Sequence, residues 1–213
     1  MEGDVKTVYI IDSNYPEDHY AERADGIVAQ QILKALGIKA DLRLALDRDH
    51  FRKAVRRALK AGCDVLHVST HGDAKSIAIC NDRPGSGLPE GFSWKEFVGL
   101  FQGRYDAPTA LVMSACNGAS SGLARTFAAA KKRPKIIIGS SDDQFPADYV
   151  AAWALLYRHF KRKGIKRNVA QRALADISAV VHKNFRYLRW DDKRARYRRY
   201  PGPGARFDVI ERA

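Results

Sequence analysis

Short runs of β-branched and aliphatic residues alternate along this chain with longer stretches in which apolar residues recur every three or four positions. Residues 7–11 (Thr-Val-Tyr-Ile-Ile) predict a first strand, ended by the turn formers Asp12-Ser13-Asn14-Tyr15-Pro16. Ala21, Ala24, Val28, Ile32 and Ala35 share one helical stripe, widened by Leu33 and Leu36, so a helix is expected over residues 17–36 with Gly37 as its stop. Residues 39–46 alternate, with Ala40, Leu42, Leu44 and Leu46 facing one way, which predicts a half-buried strand. Asp47 is placed to cap a helix over residues 48–61, with Phe51, Ala54, Val55, Ala58 and Leu59 inward, Arg and Lys on a solvated face, and Gly62 closing it.

The second half repeats the scheme. A strand over residues 63–70 is followed by a short alternating run at 76–80, a hairpin or mobile loop at 81–87, and a helix over 93–101 with Ser93 and Glu96 as a capping box. Residues 110–114 predict the next strand, residues 117–122 open a helix reaching about 130, and Pro134 breaks the chain before a strand at 136–138. Two amphipathic helices, over residues 147–163 and about 169–183, precede an aromatic and basic segment and a last strand at 206–210. Strands alternating with helices predict a three-layer α/β/α domain with a mainly parallel sheet, occupying residues 1–213 as one unit with a basic aromatic C-terminal segment at about 183–213. The connection at 131–134 is short, so one uncleaved chain is expected.

Two strand ends carry reactive side chains. In an open parallel sheet the loops beyond the carboxyl ends of the strands splay into a crevice, and both His71 and Cys116 fall there. Gly72 permits a tight turn whose amide can face a developing oxyanion, while Ala115 and Gly118 keep the bulk around the thiol small. A helix opening soon after Cys116 would favour a thiolate. The plain alternative, a buried core cysteine, stays open at this point. Cys63 and Cys80 read as packing residues, and His67, inside the strand, as a satisfied core histidine. Strand geometry argues against a metal shared by Cys63, His67, His71 and Cys80, since it sets Cys63 and His67 roughly 13 Å apart. No glycine-rich phosphate loop follows the first strand, and no cofactor is expected.

His71-Gly72 after one hydrophobic strand and Ser114-Ala115-Cys116-Asn117 after a later one resemble the caspase-like cysteine proteases. The closer likeness is to the CHAT branch, in which a His-x-x-x-His-Gly strand precedes a Ser-Ala-Cys strand; His67 and His71 fill both histidine positions. The likeness extends to the strand at 135–140 and the helix at 147–160 and covers roughly residues 5–180, while residues 140–146 depart from the usual family wording. It implies a caspase-like fold and a cysteine endopeptidase. Cys116 would attack the peptide carbonyl, His71 would polarise the site and protonate the departing amine, and the Gly72 and Cys116 amides would hold the oxyanion. Such enzymes differ mainly in the charge of the pocket receiving the side chain before the scissile bond. Asp12, Asp142 and Asp143 are therefore expected to bind a basic residue, although Asp142 or Asp143 equally suits a cap for the following helix.

Bulk properties add limits. A chain of 213 residues is long enough for a sheet covered on both faces, and no apolar stretch reaches bilayer length. The acidic start lacks a signal-peptide core, and three widely spaced cysteines suit a reducing compartment, so a cytoplasmic protein without a disulfide framework is expected. The net charge is +13, and residues 183–200 carry eight Lys or Arg against two Asp, or +6. Expected partners are a protein or peptide substrate and a regulatory protein. The alternative function is a catalytically silent module holding nucleic acid or a protein partner on that basic face, although such segments more often pack their aromatics and leave their charges wet.

Overall fold

The structure, a computed structural model, describes residues 5, 7–80, 91–181, 184–202, 204 and 206–210. Its elements are β1 (Thr7–Asp12), α1 (Pro16–Tyr20), α2 (Asp25–Ala35), β2 (Lys39–Leu44), α3 (Arg48–Ala61), β3 (Val65–Ser69), β4 (Ser76–Ala78), β5 (Gly91–Ser93), α4 (Trp94–Gly99), β6 (Ala110–Ser114), α5 (Ser121–Ala129), β7 (Ile136–Ser140), α6 (Pro146–Lys163), α7 (Arg167–Val180), β8 (Phe185–Asp191), β9 (Arg196–Tyr200) and β10 (Asp208–Val209). The sheet runs β10-β9-β8-β7-β6-β3-β1-β2. From β7 to β2 all pairs are parallel, and β8, β9 and β10 extend it antiparallel.

Helices cover both faces. On one, Phe51, Phe97, Phe101 and Phe127 of the α3–α5 side pack with Leu66, Leu111 and Ile137. On the other, Leu33, Trp153, Tyr157, Phe160 and Leu174 of α2, α6 and α7 pack with Ile10, Val112 and Ile138. Each such side chain contributes about 1.5–3 kcal/mol by leaving water. β3 and β6 are buried along their whole length. That burial on both faces explains their continuous apolar runs and fixes the register of the loops that follow.

Several expected features are present: Asp47 accepts from the His50 amide, Gly62 closes α3 in the left-handed conformation, and Ser93 and Glu96 form the capping box of α4. Others differ. The helix expected over residues 17–36 is two helices, broken at 21–24 where Glu22 takes a positive φ of 56°. The break lets Asp18 and Asp25 both turn inward, which a hydrophobic stripe alone does not reveal. β2 is an edge strand whose alternation fails at its end: Leu44 and Leu46 are exposed while Ala45 is buried, its amide donating to the Asp12 carbonyl. The basic aromatic segment forms β8 and β9, a hairpin that lengthens the sheet. The loop expected at residues 81–87 lies outside the described residues.

Candidate active site

β3 and β6 are parallel neighbours with Ser69 opposite Ser114, so His71 and Cys116 each stand two residues beyond a matched pair of strand ends. Thr70 ties the two ends together, its amide donating to the Ser114 carbonyl at 3.0 Å. The following glycine is required by space: a Cβ on Gly72 would lie 2.8 Å from the Cys116 carbonyl oxygen and 3.2 Å from Ala115 Cβ. After the thiol, Asn117 takes a left-handed φ of 58°, which Asn tolerates well, and a Cβ on Gly118 would meet Met113 Cβ at 2.6 Å. The chain therefore reverses sharply at Cys116. The Gly72 and Cys116 amides are engaged by no acceptor among the described residues.

The loop after β7 forms the third wall. The Asn117 amide donates to the Asp142 carbonyl, the Asn117 side-chain amide reaches Asp143 Oδ1 at 3.3 Å, and Cys116 Sγ faces the Gln144 carbonyl at 4.0 Å. Asp142 and Asp143 are exposed. Neither caps α6, whose N-cap is Phe145 with Pro146 in the first turn. Asp12 sits differently. It is 1% exposed, its Oδ1 accepting from the Asn14 backbone and side-chain amides and lying 3.4 Å from His19 Nε2, so its carboxylate is enclosed and not offered to the crevice.

His71 has a partner that the sequence reading missed. Its Nε2 lies 2.6 Å from Asp18 Oδ2, and its ring stacks on Tyr15 at 4.6 Å with an 18° tilt. Asp18 also meets Arg23 at 3.3 Å. With Nε2 committed to the carboxylate, Nδ1 is the nitrogen left for proton exchange. Asp18 reads in the sequence as a solvated residue of a helix's first turn; its one signal is its place in the helix leaving the β1 end, which borders the same crevice.

Burial pushes the Cys116 thiol above its ordinary pKa, against the Gln144 backbone contact, and the Asp143 charge adds to that rise. The expected helix assistance is absent because α5 begins at Ser121, with the Ser120 side chain accepting from the Leu123 amide. The resting group is therefore the neutral thiol, and a base must take its proton. His67, four residues before His71, is fully buried; its Nδ1 pairs with the Tyr157 hydroxyl at 2.7 Å, and burial holds its pKa down to about 3. It is a core residue, as expected, but not a fully satisfied one, since its buried Nε2 has no hydrogen-bond partner among the described residues. Cys63 and Cys80 are buried, and burial, then Asp64, pushes the Cys63 thiol up to about 12.

Beneath the two loops lies a buried polar floor. Ser69 donates to Asp25 Oδ1 at 2.7 Å, Ser114 donates to Asp25 Oδ2, and Ser114 accepts from Trp153 Nε1 at 2.7 Å. Asn14 Nδ2 donates to Ser69 Oγ at 2.8 Å and joins Asp12 to the set. Asp25 thus bridges the last residues of the strands that carry His71 and Cys116. Its burial outweighs the two serine bonds and pushes its pKa up to about 6, with the Asp12 charge adding to the rise. Among the described residues, no three His, Cys, Asp or Glu side chains are grouped so as to hold a metal ion, and no helix is long and apolar enough to cross a membrane.

No protein-family model matches the chain, and no curated protein matches it by sequence. Solved structures do match in fold. An Arg-specific cysteine proteinase, gingipain R, aligns over 84% of this chain and 43% of its own with a TM-score of 0.53 at 15% identity. A secreted C11 cysteine protease from Bacteroides thetaiotaomicron, iotapain, aligns over 87% of this chain and 66% of its own, TM-score 0.55, at 7% identity. The complex of the pro- and mature domains of Porphyromonas gingivalis RgpB aligns over 83% of this chain and 43% of its own, TM-score 0.52, at 13% identity. The chain thus spans under half the length of the gingipain chains it matches, and the feature it shares with all three is the caspase-like α/β/α fold.

Proposed function

We propose that this chain is a cysteine endopeptidase of the caspase-like group, its His-Gly and Ser-Ala-Cys motifs resembling those of the CHAT branch. The observation that carries the reading is the placement of His71 and Cys116 on matched ends of neighbouring parallel strands, with Asp18 fixing one nitrogen of the imidazole. His71 Nδ1 takes the thiol proton as Cys116 Sγ bonds to the peptide carbonyl carbon. The Gly72 and Cys116 amides receive the developing oxyanion. The tetrahedral intermediate collapses by breaking the C–N bond, and the proton on His71 leaves with the amine. Water then attacks the thioester, giving its proton to His71, and the acid departs as the thiol re-forms. Because the resting thiol is neutral, transfer to His71 on substrate binding is a required step, and Asp18 stabilises the imidazolium formed.

For specificity we assign Asp142 and Asp143, exposed on the rim, to a basic side chain before the scissile bond; the Arg-specific fold neighbour supports this by analogy only. A charge-assisted pair there is worth about 1.5–3 kcal/mol, or roughly a tenfold to hundredfold preference. The test is a diverse peptide library incubated with wild type and Cys116→Ala. Cleavage after Lys or Arg that vanishes in the variant, and weakens in Asp143→Asn, is the expected result. Equal cleavage by Cys116→Ala would sink the enzyme reading, and cleavage after Asp, Glu or apolar residues would sink the specificity alone.

A further inference from the structure

Residues 158–200 hold fifteen Lys or Arg and three Asp, a net +12 of the chain's +13, so the rest of the molecule carries only +1. The fold sets part of this charge at one pole, although Arg186 pairs near the carboxyl end of β7. α6 starts at Pro146, beside the Cys116 loop, and runs back along the sheet for 18 residues, about 27 Å, to Lys163. Arg189 pairs with Ile136, the first residue of β7, and Arg198 pairs with Arg189. Arg158, Arg162, Lys163, Arg189 and Arg198 therefore lie at the amino ends of the parallel strands, opposite His71 and Cys116.

Two cationic clusters flank α7 there. Between α6 and α7 a groove of about 280 Å³ is lined by Arg158, His159, Arg162, Lys163, Arg172 and Asp176, and the single carboxylate is taken by His159 at 2.6 Å. On the hairpin side, Arg167, Arg198 and Arg189 converge on the Phe207 ring at 4.7, 5.4 and 5.7 Å, and the Nε atoms of Arg189 and Arg198 are buried without a partner. None of these arginines is ion-paired among the described residues. Like charges held together repel, and an anion relieves that repulsion.

We infer that this pole is a binding surface for the phosphate backbone of nucleic acid. Ten of the fifteen cations in the segment are Arg, whose planar fork suits phosphate in two-point contact. The clusters stand on either side of a helix roughly 10 Å across, too far for one phosphate but reached by a chain of them. A lipid surface fits less well: of the exposed large apolar residues described, only Val180 belongs to the segment, so nothing there inserts into a bilayer. An acidic protein would find Phe207 covered by three guanidiniums and Trp190 by that of Arg133. Nucleic acid bound here leaves the opposite crevice open.

The test is fluorescence anisotropy of the full chain with a labelled 20-nucleotide single-stranded RNA and a 20-base-pair DNA between 50 and 200 mM salt. Contact with about six phosphates gives a slope of log K against log salt near −4 for the single strand and about −5 for the duplex. Arg158, Arg162, Arg167 and Arg172 have exposed side chains, so their replacement does not threaten the fold. Arg162→Ala/Arg172→Ala and Arg158→Ala/Arg167→Ala should each flatten the slope by roughly one to two and weaken binding at 50 mM salt about tenfold or more. Absence of binding at 50 mM salt, or binding that both double variants leave unchanged, overturns the assignment. So does equal or tighter binding of polyglutamate or of phosphatidylserine vesicles, which would mark the pole as a general or membrane-directed cation patch.

Discussion

The rim and the floor of the crevice use the same residue types for opposite ends. On the rim, His71 is nearly half exposed and pairs with Asp18, and Cys116 stands past the end of the neighbouring strand. On the floor, Asp25 and Asp12 are shut away from water with their partners fixed by two serines and an asparagine. The rim side chains sit on loops and contribute little to the core, whereas the floor ties three strand ends together before any substrate arrives. Exposure, more than residue type, separates a group that reacts from one that holds.

The sharpest way to break this comparison is to delete one group from each level. Cys116→Ala should abolish peptide cleavage, a loss of at least about a thousandfold, with thermal unfolding almost unchanged. Asp25→Ala should do the reverse in kind: Ser69 and Ser114 lose their acceptor in a dry site, a destabilisation of about 3–5 kcal/mol in urea titration. If Asp25→Ala unfolds at the wild-type midpoint, the floor is not structural. If Cys116→Ala lowers the midpoint by several kcal/mol, the thiol belongs to the core after all.

The pH dependence of stability sharpens the floor's side. Asp25 has its pKa raised to about 6, so its folded form keeps a proton that the unfolded chain releases, and its contribution falls as pH rises from about 4 to 6. His67, held down to about 3, acts in the opposite direction, because the unfolded chain takes a proton below about 6.5 that the folded one refuses. Between pH 4.5 and 6 the two slopes oppose each other. Asp25→Asn removes one of the two buried carboxylates that oppose His67, the other being Asp12, whose pKa burial also raises. Stability should then fall by up to about 2 kcal/mol on acidification from pH 6 to 4.5, more steeply than in wild type. A flat Asn variant in denaturant titrations would contradict the burial argument.

On the rim, Asp18→Asn should lower kcat about tenfold to hundredfold and alter its pH profile, with KM and unfolding little changed, because the amide cannot stabilise an imidazolium as a carboxylate does. An unchanged pH profile would reduce Asp18 to a packing contact.

What the sequence disclosed follows the same division. The parallel strands were legible because burial on both faces leaves unbroken aliphatic runs, as in Val65-Leu66 and Ala110-Leu111-Val112-Met113. His71 and Cys116 were legible because turn residues place them past those runs. Asp18 and Asp25 were not, since periodicity reads a carboxylate on a helix as wet. Inward-turned carboxylates are chosen by partners more than forty residues away, Ser69, Ser114 and His71. Asp12 was placed at the crevice because it ends β1, but its local partners Asn14 and His19 enclose it. The hairpin of β8 and β9 was hidden because its arginines fall on both faces, erasing the alternation that marks a strand.

Tyr149 joins the two levels and gives the smallest expected effect. Its ring stacks on Trp153 at 5.7 Å and meets Phe185 edge-on at 5.8 Å, so the floor's indole fixes its position. Its hydroxyl is buried beside the Cys116 thiol and interacts with it, but it forms no well-aligned hydrogen bond among the described residues. Burial, and then the nearby Cys116 and Asp25 charges, raise the pKa of that hydroxyl, so it remains a donor at any working pH. A donor with no acceptor in the resting thiol gains one when Cys116 ionises. Tyr149→Phe removes an unsatisfied polar group from the folded state, so stability should shift by no more than about 0.5 kcal/mol, or improve slightly. The same change removes a bond available only to the thiolate, so alkylation of Cys116 by iodoacetamide at neutral pH should slow about threefold to tenfold. Unchanged alkylation together with a clear loss of stability would make the hydroxyl a floor group, and the boundary between the two levels would then run above Tyr149.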